Sequence, residues 1–295
     1  MAGQPPEAPP PLERADPRVA LPNVIHRVVD LPAAVQRVVV VGDVHACLDE
    51  LHALLEACAY NAVEDQLVLV GDLVNKGPKS VEVVRFARES NALCVRGNHD
   101  DAALAAYYDW RASGGSTVEQ NHKYAYVAQF TLEDVRFLEQ IPFTLSLPSH
   151  NAVVVHAGLV PGVPLSAQRP IDMYKMRFLM KSHRPQEEDD KCNENEVSSS
   201  SSSSCWTALE TKKSAELVGE SVHLWATQWE GPAHVYFGHD AVAGLQQEAF
   251  ATGLDTGCCY GRELSACILP TREIVQVKAK RMYAAIPTTR GNDVA

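Results

Sequence analysis

The sequence lacks the features that mark membrane proteins and disulfide-bonded secreted proteins. No apolar run approaches the roughly 18 consecutive residues that a membrane-spanning helix needs, and the proline-rich start of the chain has no apolar core like that of a signal peptide. The eight cysteines include no C-x-x-C pair, and their spacing matches neither a zinc ribbon nor a disulfide framework. These absences favour a reducing, cytoplasmic location without membrane association.

Positive charge is also scarce in this chain. The 26 lysine and arginine residues are outnumbered by 37 aspartate and glutamate residues, which gives a net charge of −11. A protein with this charge is a poor general ligand for nucleic acid backbones, so we expect no stable DNA binding. If the protein acts on a phosphate-rich substrate, bound cations rather than its overall charge have to attract that substrate.

Composition divides the chain into one large folded domain and three segments of different character. Residues 1–34 are rich in proline and predict a disordered extension, which offers a place for a partner that recognises short motifs. Residues 35–285 predict the folded domain, and residues 286–295 a short tail. Within the domain, residues 184–205 are first acidic and then rich in serine, and they predict a mobile surface loop because such a segment cannot bury a core.

Short apolar runs rich in β-branched residues predict buried sheets. Their continuous apolar character is typical of strands that are covered on both faces. The predicted strands lie at Val38–Val41, Leu67–Val70, Leu93–Val95, Val153–Val155, Val235–Phe237, Glu263–Leu269 and Ile274–Lys278. Helical spacing and capping residues, Thr131 among them, predict helices at Cys47–Cys58, Pro78–Arg88, Asp101–Trp110 and Thr131–Gln140. The expected fold class is therefore α/β, with stacked sheets and helices outside.

Five of these strands are followed by short motifs that carry side chains able to bind a metal. The motifs are Gly42–His45, Gly71–Pro78, Gly97–Asp100, His156–Gly158 and Gly238–Asp240. Each alone has an ordinary explanation, because an aspartate or asparagine often caps a loop and a buried histidine often serves the core. Five together are hard to explain as independent caps, and ligands collect at the carboxyl ends of strands in open α/β sheets. We therefore expect one shared site, whose carboxylate, imidazole and amide donors suit manganese, iron or zinc.

This array of motifs resembles the calcineurin-like metallophosphoesterases, and specifically the ApaH-like phosphatases of the phosphoprotein phosphatase superfamily. The resemblance extends to Asn75–Pro78 and Leu254–Gly261 and covers roughly residues 37–274. It implies a double β-sandwich flanked by helices. It also implies two divalent metal ions, with manganese favoured and iron, zinc, cobalt or magnesium as alternatives.

The resemblance implies a role for individual residues as well. The implied ligands of the first ion are Asp43, His45 and Asp72, and Asp72 bridges to a second ion that Asn98, His156 and His239 complete. His99 matches the general acid of the family. The candidates for contact with phosphate or with the rest of the substrate are Lys76, Arg96, Arg177 and Tyr260.

The implied activity is the hydrolysis of phosphoric anhydrides such as diadenosine tetraphosphate, by in-line attack of a hydroxide that bridges the two ions. The expected partner is thus a phosphorylated small molecule or a nucleotide. Polyphosphate and the 5′ cap of RNA are alternative substrates in the same branch. A protein Ser/Thr phosphatase is a second enzymatic alternative, although Asn75 stands where protein phosphatases have an aspartate that orients the catalytic histidine.

Two departures from the family pattern motivate a third alternative, a non-catalytic module that binds metal or phosphate. Ala46 follows the first histidine where the family usually has glycine, and a backbone with positive φ would be strained there. Lys76 stands where many relatives have arginine, and an ammonium group lacks the bidentate geometry of a guanidinium. The intact set of ligands and His99 argue against this alternative.

Overall fold

The computed structural model describes residues 18–115, 122–182, 205–211 and 221–286. The α-helices within them are α1 (Leu48–Ala57), α2 (Ser80–Glu89), α3 (Asn98–Ala112), α4 (Leu132–Gln140) and α5 (Pro170–Lys175). At the start of α4, the Thr131 hydroxyl accepts a hydrogen bond from the N–H of Asp134 (3.2 Å), and the Asp134 carboxylate accepts one from the N–H of Thr131 (2.9 Å). This reciprocal cap confirms the prediction that Thr131 begins the helix.

The described strands form three sheets. They are β1 (His26–Val28), β2 (Arg37–Val41), β3 (Asp65–Leu69), β4 (Leu93–Cys94), β5 (Thr144–Leu147), β6 (Ala152–Val155), β7 (Phe178–Ser182), β8 (Cys205–Leu209), β9 (Val222–Leu224), β10 (His234–Phe237), β11 (Gln246–Gln247), β12 (Ala251–Gly253), β13 (Glu263–Leu269) and β14 (Glu273–Lys278). The strand orders are β1-β5-β6-β10-β12-β11 in the first sheet, β14-β13-β2-β3-β4 in the second and β8-β7-β9 in the third. β2, β3 and β4 run parallel to one another, and so do β6, β10 and β12.

Alternate residues of β2 face opposite layers of the fold. Val38 and Val40 pack with Val154 and Tyr236 of the first sheet, so the first and second sheets share an apolar core. Val39 belongs to a separate core that includes residues of helices α1 to α4. A third core joins the outer face of the first sheet to α5 and β7. The structure is therefore a double β-sandwich flanked by helices, and the expected fold class is confirmed.

The sequence predicted half of the fourteen described strands and misplaced several boundaries. All seven predicted strands are present, with ends that shift by no more than two residues. The seven strands that the sequence missed are β1, β5, β7, β8, β9, β11 and β12, and in β5 a threonine and a serine interrupt the apolar run. Helix α3 begins at Asn98 rather than at Asp101. The predicted extension of residues 1–34 was too long, because β1 lies within it and pairs in parallel with β5.

Most of the predicted extension, loop and tail is not described by the structure. Residues 1–17, the predicted loop up to residue 204 and the tail from residue 287 lie outside the described residues. Among the described helices, none has the length and apolar character that crossing a membrane requires.

Candidate active site

Parallel strands bring the predicted motifs to the same edge of the sandwich. β2 and β3 lead into Asp43 and Asp72, and β6 and β10 lead into His156 and His239. The two sheets face each other, so their carboxyl ends meet. The N–H of His239 donates to the Asp43 carboxylate (3.1 Å to Oδ1), which joins a motif of the first sheet to a motif of the second.

The carboxylate of Asp72 lies at the centre of this cluster. Its Oδ2 is 3.4 Å from Nε2 of His45, and its Oδ1 is 3.4 Å from Nε2 of His156. Each oxygen therefore faces a different imidazole. The side chain is 2% exposed, so water screens these contacts little.

The other predicted ligands surround these two imidazoles. Nε2 of His45 is 3.8 Å from Oδ2 of Asp43, and Nε2 of His156 is 3.2 Å from Oδ1 of Asn98. A nitrogen of His239 lies within 4.8 Å of both His156 and Asp72. The structure thus brings together all six residues predicted as metal ligands.

Backbone carbonyl groups fix the orientation of the three ligand histidines. Each ring donates one N–H to a carbonyl oxygen, which leaves the lone pair of the other nitrogen free to face the cluster. The three bonds join His45 Nδ1 to Val74 (3.1 Å), His156 Nδ1 to Val70 (2.8 Å) and His239 Nε2 to Lys175 (3.1 Å). Neutral imidazoles held in this way, together with carboxylate and amide oxygens, fit divalent metal ions.

Burial shifts the titration of these groups in opposite directions. It raises the pKa of Asp72 to about 6, and burial and the neighbouring carboxylates raise the pKa of Asp43 well above its usual range. Burial lowers the pKa of His156 to about 4, and burial and the charge of Lys76 lower the pKa of His45 well below its usual range. Without a cation the imidazoles are therefore neutral at physiological pH, whereas the carboxylates hold their protons unusually tightly.

Asp100 holds the Asp72 loop in place, a role that sequence reasoning missed. Its carboxylate accepts hydrogen bonds from the N–H groups of Asp72 (2.9 Å), Leu73 (2.9 Å) and Gly97 (3.0 Å). Asp100 is fully buried, and burial and the nearby Asp72 raise its pKa to about 7. These bonds connect the loop after β3 to the first turn of α3, which carries Asn98.

Asp255 is a further buried carboxylate whose position the sequence did not reveal. It follows β12 and is 4% exposed. Its charge is, after burial, the largest cause of the raised pKa of Asp43, which places it beside the cluster. The same strand-end rule would have selected it, because β12 runs parallel to β10, but a strand of three residues gives little signal in the sequence.

His99 reaches the cluster from the first turn of α3. One of its nitrogens lies within 4.8 Å of ligand atoms of His45 and Asp72. Nδ1 of His99 accepts a hydrogen bond from Nδ2 of Asn75 (3.1 Å), and the hydroxyl of Tyr126 donates to Oδ1 of Asn75 (2.7 Å). The neutral ring therefore carries its proton on Nε2, and that nitrogen offers a proton rather than a lone pair. Burial, with the charge of Lys76, lowers the pKa of His99 well below its usual range.

Lys76 lies next to His45, which is a predicted ligand of the first ion, and Tyr260 lies next to Lys76. The ammonium of Lys76 donates to Nε2 of His45 (3.1 Å) and lies 5.0 Å from the centre of the Tyr260 ring. The lone pair that a metal ion would use on His45 is thus already facing a cation. Burial raises the pKa of Tyr260 to about 12, so its hydroxyl is neutral.

Of the two arginines predicted to contact phosphate, the structure places only Arg177 beside the cluster. Its guanidinium donates to the carbonyl oxygen of His239 (3.4 Å) and lies 3.9 Å from the Asp240 carboxylate. Arg96 is 1% exposed and donates to the carbonyl oxygen of Leu138 (3.0 Å) at the end of α4. The prediction for Arg96 is corrected, because its guanidinium is buried in the core, where it donates to the carbonyl oxygens of Leu138 and Glu139 and holds the end of α4 in place.

The loops of the site adopt a strained backbone. Six residues other than glycine have positive φ there: His45 (42°), Ala46 (59°), Asp72 (51°), Asn75 (69°), Lys76 (68°) and His239 (70°). The value for Ala46 confirms that this position needs a left-handed conformation. Each such residue costs on the order of 1–3 kcal/mol, and such strain clusters at functional sites.

Comparison with known proteins identifies the family. Residues 36–250 match the calcineurin-like phosphoesterase family. The symmetrical bis(5'-nucleosyl)-tetraphosphatase of Coxiella burnetii is 30% identical over 265 residues, which cover 79% of this chain and 89% of that protein. The enzyme of the same name from Aliivibrio salmonicida is 38% identical over 125 residues, which cover 41% of this chain and 44% of that protein.

Comparison of structures agrees with the sequence match. A crystal structure whose protein is provisionally named a diadenosine tetraphosphatase is 34% identical and superimposes with a TM-score of 0.67, covering 86% of this chain and 98% of that one. The fold, the cluster of six ligand-type residues and the match over residues 36–250 agree with one another. The chain therefore belongs to the calcineurin-like phosphoesterase family of metal-dependent phosphohydrolases.

Proposed function

We propose that the protein is a dinuclear metal-dependent hydrolase of phosphoric anhydrides, with diadenosine tetraphosphate as its substrate. The observation that carries the dinuclear arrangement is the position of Asp72. Its two carboxylate oxygens each lie 3.4 Å from Nε2 of a different histidine, His45 or His156. A carboxylate shared in this way suits two cations that lie side by side.

The donor set divides between two ions that share one ligand. Asp43, His45 and Asp72 would hold the first ion, and Asp72, Asn98, His156 and His239 would hold the second. When bound, such ions neutralise the charge on phosphoryl oxygens and lower the pKa of water toward neutrality. The donors are nitrogen and oxygen atoms without sulfur, which favours manganese, with iron, zinc, cobalt or magnesium as alternatives.

His99 would act on the departing oxygen: the neutral ring donates a hydrogen bond to it from Nε2–H, and the charged ring gives up a proton and becomes neutral. Because Asn75 donates to Nδ1, the proton of the neutral ring resides on Nε2. Tyr126 keeps the amide of Asn75 in this orientation by donating to its oxygen. General acid catalysis of this kind contributes a factor of about 10²–10⁴ to the rate.

Three side chains at the edge of the cluster are placed to bind substrate. Lys76 and Arg177 provide positive charge beside the ligand histidines, and the Tyr260 ring covers the Lys76 ammonium. For phosphate to bind Lys76, the ammonium has to leave the lone pair of His45, which a metal ion on that nitrogen would enforce by repulsion. These cations offset the net negative charge of the chain at the one place where an anionic substrate has to bind.

The choice of diadenosine tetraphosphate rests on the names of the relatives from Coxiella burnetii and Aliivibrio salmonicida. An anhydride also has a better leaving group than a phosphate ester of an alcohol. Its hydrolysis therefore depends less on a strong proton donor at the departing oxygen. The replacement of the expected aspartate by Asn75 removes a negative charge that would stabilise a charged imidazole at His99. This difference disfavours the protein phosphatase alternative.

Our proposal of a cytoplasmic location rests on the cysteines and not on the candidate active site. The six cysteines with described side chains are free and buried, which supports our proposal of the reducing cytoplasm. Binding of short-motif partners by the proline-rich residues 1–34 and a surface loop at residues 184–205 remain proposals from the sequence.

A panel of substrates tests the proposed function. Purified protein with Mn²⁺ or Co²⁺ is offered a chromogenic phosphomonoester, diadenosine tetraphosphate, polyphosphate, capped RNA and a phosphopeptide. We expect diadenosine tetraphosphate to be cleaved fastest, with two ADP molecules as products. Turnover of the phosphopeptide alone would establish a protein phosphatase, and inactivity on every substrate by metal-loaded protein would establish a binding module.

Matched variants connect the activity to the site. Asp72→Asn should abolish turnover and weaken the binding of both ions, because it removes one shared ligand charge. His99→Asn should keep both ions and lower the rate by about 10²–10⁴-fold. The control is His52→Ala, which changes an exposed histidine on α1 and should leave both properties unchanged.

A further inference from the structure

A second cluster of metal-type side chains lies outside the candidate active site. It consists of Cys47, Glu50 and Cys258, whose two sulfur atoms and one carboxylate oxygen all lie within 4.8 Å of one another. Each of the three residues is only 1% exposed. Buried thiols are common, but a carboxylate buried beside them is costly unless it is paired or binds a cation.

The carboxylate of Glu50 shows that this cluster is not satisfied by its neighbours alone. Oε1 accepts hydrogen bonds from the N–H of Lys280 (3.0 Å) and the hydroxyl of Tyr283 (2.8 Å). Oε2 is buried and has no hydrogen-bond partner among the described residues. An unpaired carboxylate oxygen in the interior is costly unless a ligand satisfies it.

The cluster lies at the N-terminal end of α1. Cys47 is the N-terminal capping residue of α1, and its side chain makes no capping hydrogen bond. Glu50 lies in the first turn of the same helix. The Cys47 thiol donates to the carbonyl oxygen of His45 (3.4 Å), so the cluster directly contacts the loop that carries a predicted ligand of the candidate active site.

We propose that Cys47, Glu50 and Cys258 form a further metal site, which binds a thiophilic divalent ion of the zinc class. Two sulfur ligands select zinc, cobalt or cadmium over magnesium, calcium or manganese, so this site has a different preference from the nitrogen and oxygen cluster at Asp72. Binding releases the protons of the two thiols to solvent, and three protein donors leave one position of a tetrahedral ion for water.

An ion at this site would connect three segments that support the candidate active site. Cys47 follows the loop that carries His45, and Cys258 precedes Tyr260, which covers Lys76. Glu50 already holds the C-terminal segment through Lys280. The ion therefore stabilises the fold next to the dinuclear cluster without touching substrate.

Cobalt provides a direct test, because sulfur-to-cobalt charge-transfer bands in the near ultraviolet cannot arise from nitrogen and oxygen ligands. The full-length protein is kept reduced with a phosphine and loaded with Co²⁺, both during refolding and by long incubation of the folded protein. We expect these bands, and one more equivalent of bound Co²⁺ than the dinuclear cluster accounts for. We also expect Zn²⁺ at that equivalent to raise the melting temperature.

Variants assign the signal to the site. Cys258→Ser removes one of the two sulfur ligands and should reduce the charge-transfer bands by at least about half, and the isosteric Glu50→Gln should weaken Co²⁺ binding at this equivalent while the fold is preserved, as circular dichroism can check. The control is Cys94→Ser, which changes a buried cysteine outside the cluster and should retain the bands. Absence of the bands in the loaded protein, or bands of undiminished intensity in Cys258→Ser, would overturn the proposal. Neither outcome bears on the Asp72 cluster, whose cobalt bands and turnover are measured separately.

Discussion

We expect carboxylates, rather than histidines, to set the pH below which this protein loses its catalytic metal ions. Histidine ligands with an ordinary pKa of 6.5 would protonate near neutrality, but burial lowers the pKa of His156 to about 4. Burial raises the pKa of Asp72 from 3.8 to about 6. On acidification, a proton therefore occupies the shared ligand first, well before the imidazoles become charged.

The size of the effect follows from the pKa of Asp72. Each ligand that must lose a proton lowers the apparent association constant about tenfold for each pH unit below its pKa. Between about pH 7 and pH 5, Asp72 alone should weaken ion binding by about tenfold, or about 1.4 kcal/mol. Asp43 acts in the same direction, since its pKa is also raised, so tenfold is a lower bound.

The raised pKa of Asp72 should also make the stability of the ion-free protein depend on pH. An acid whose pKa is raised by folding holds a proton that the unfolded chain has already released, so unfolding free energy falls as pH rises from about 4 to about 6. The shift of about two pKa units at Asp72 corresponds to about 3 kcal/mol lost across that window. A bound cation removes this penalty, so the stabilisation by metal should be largest above pH 6.

Calorimetric titration with Mn²⁺ at a series of pH values, in buffers with different ionisation enthalpies, measures both the affinity and the number of protons released. Thermal unfolding with and without Mn²⁺ over the same range measures the stabilisation. The Asp72→Asn variant should lose a large part of the pH dependence, whereas Glu89→Gln, which changes an exposed carboxylate on α2, should keep all of it. The reasoning is refuted if affinity is constant between about pH 7 and pH 5, or if Asp72→Asn keeps the full dependence.

Three further substitutions test other parts of the site. Gly238→Ala places a methyl carbon 1.9 Å from Oδ1 of Asp43, so we expect loss of metal binding and a decrease of about 1–3 kcal/mol in the free energy of unfolding. Tyr126→Phe removes the hydrogen bond that orients Asn75, and we expect kcat to fall about fivefold, the equivalent of about 1 kcal/mol, with KM and metal content unchanged. Ala46→Gly removes about 1 kcal/mol of left-handed strain and one buried methyl of similar value, so its unfolding midpoint in urea should barely move.

Each of these substitutions has a control or an outcome that would contradict it. Gly114→Ala also has positive φ but meets no atom within 4 Å, so it should cost about 1 kcal/mol in stability and leave activity intact. Equal losses of activity in the two glycine variants would argue against the steric explanation at Gly238. Tyr124→Phe is the control for Tyr126, and a rise in KM or a loss of metal in Tyr126→Phe would contradict an orienting role. A loss of more than about 2 kcal/mol in Ala46→Gly would show that packing there outweighs strain.

Patterns in the sequence predicted the α/β fold class and the motifs that meet in one site, and the family resemblance implied which six residues of those motifs are ligands. Runs such as Val38–Val41 are apolar at every position, which requires cover on both faces and therefore a sandwich or a doubly covered sheet. Motifs such as Gly42–His45 follow these runs directly, and parallel strands bring their carboxyl ends to one edge. This inference needs only local patterns and a general rule, so it did not depend on knowing which strands are neighbours.

The direction of individual side chains needed the tertiary structure. Arg96 and Asn98 are two residues apart, yet Arg96 points into the core under α4 and Asn98 faces His156. The turn between β4 and α3 decides this difference, and spacing in the sequence does not encode the turn. Helix α3 was predicted to begin at Asp101 but begins at Asn98, where the buried carboxylate of Asp100 accepts a hydrogen bond from the N–H of Gly97.

Contacts between distant segments also lay beyond sequence reasoning. Asp255, Tyr126 and Glu50 acquire their roles from partners far away along the chain, such as Asn75 for Tyr126 and Tyr283 for Glu50. The pKa values depend on burial, which is a property of the packed chain. The sequence thus determined which chemical groups are present and which strands carry them. Only the fold decided their protonation, their orientation and their partners, because these depend on the low-dielectric surroundings that packing creates.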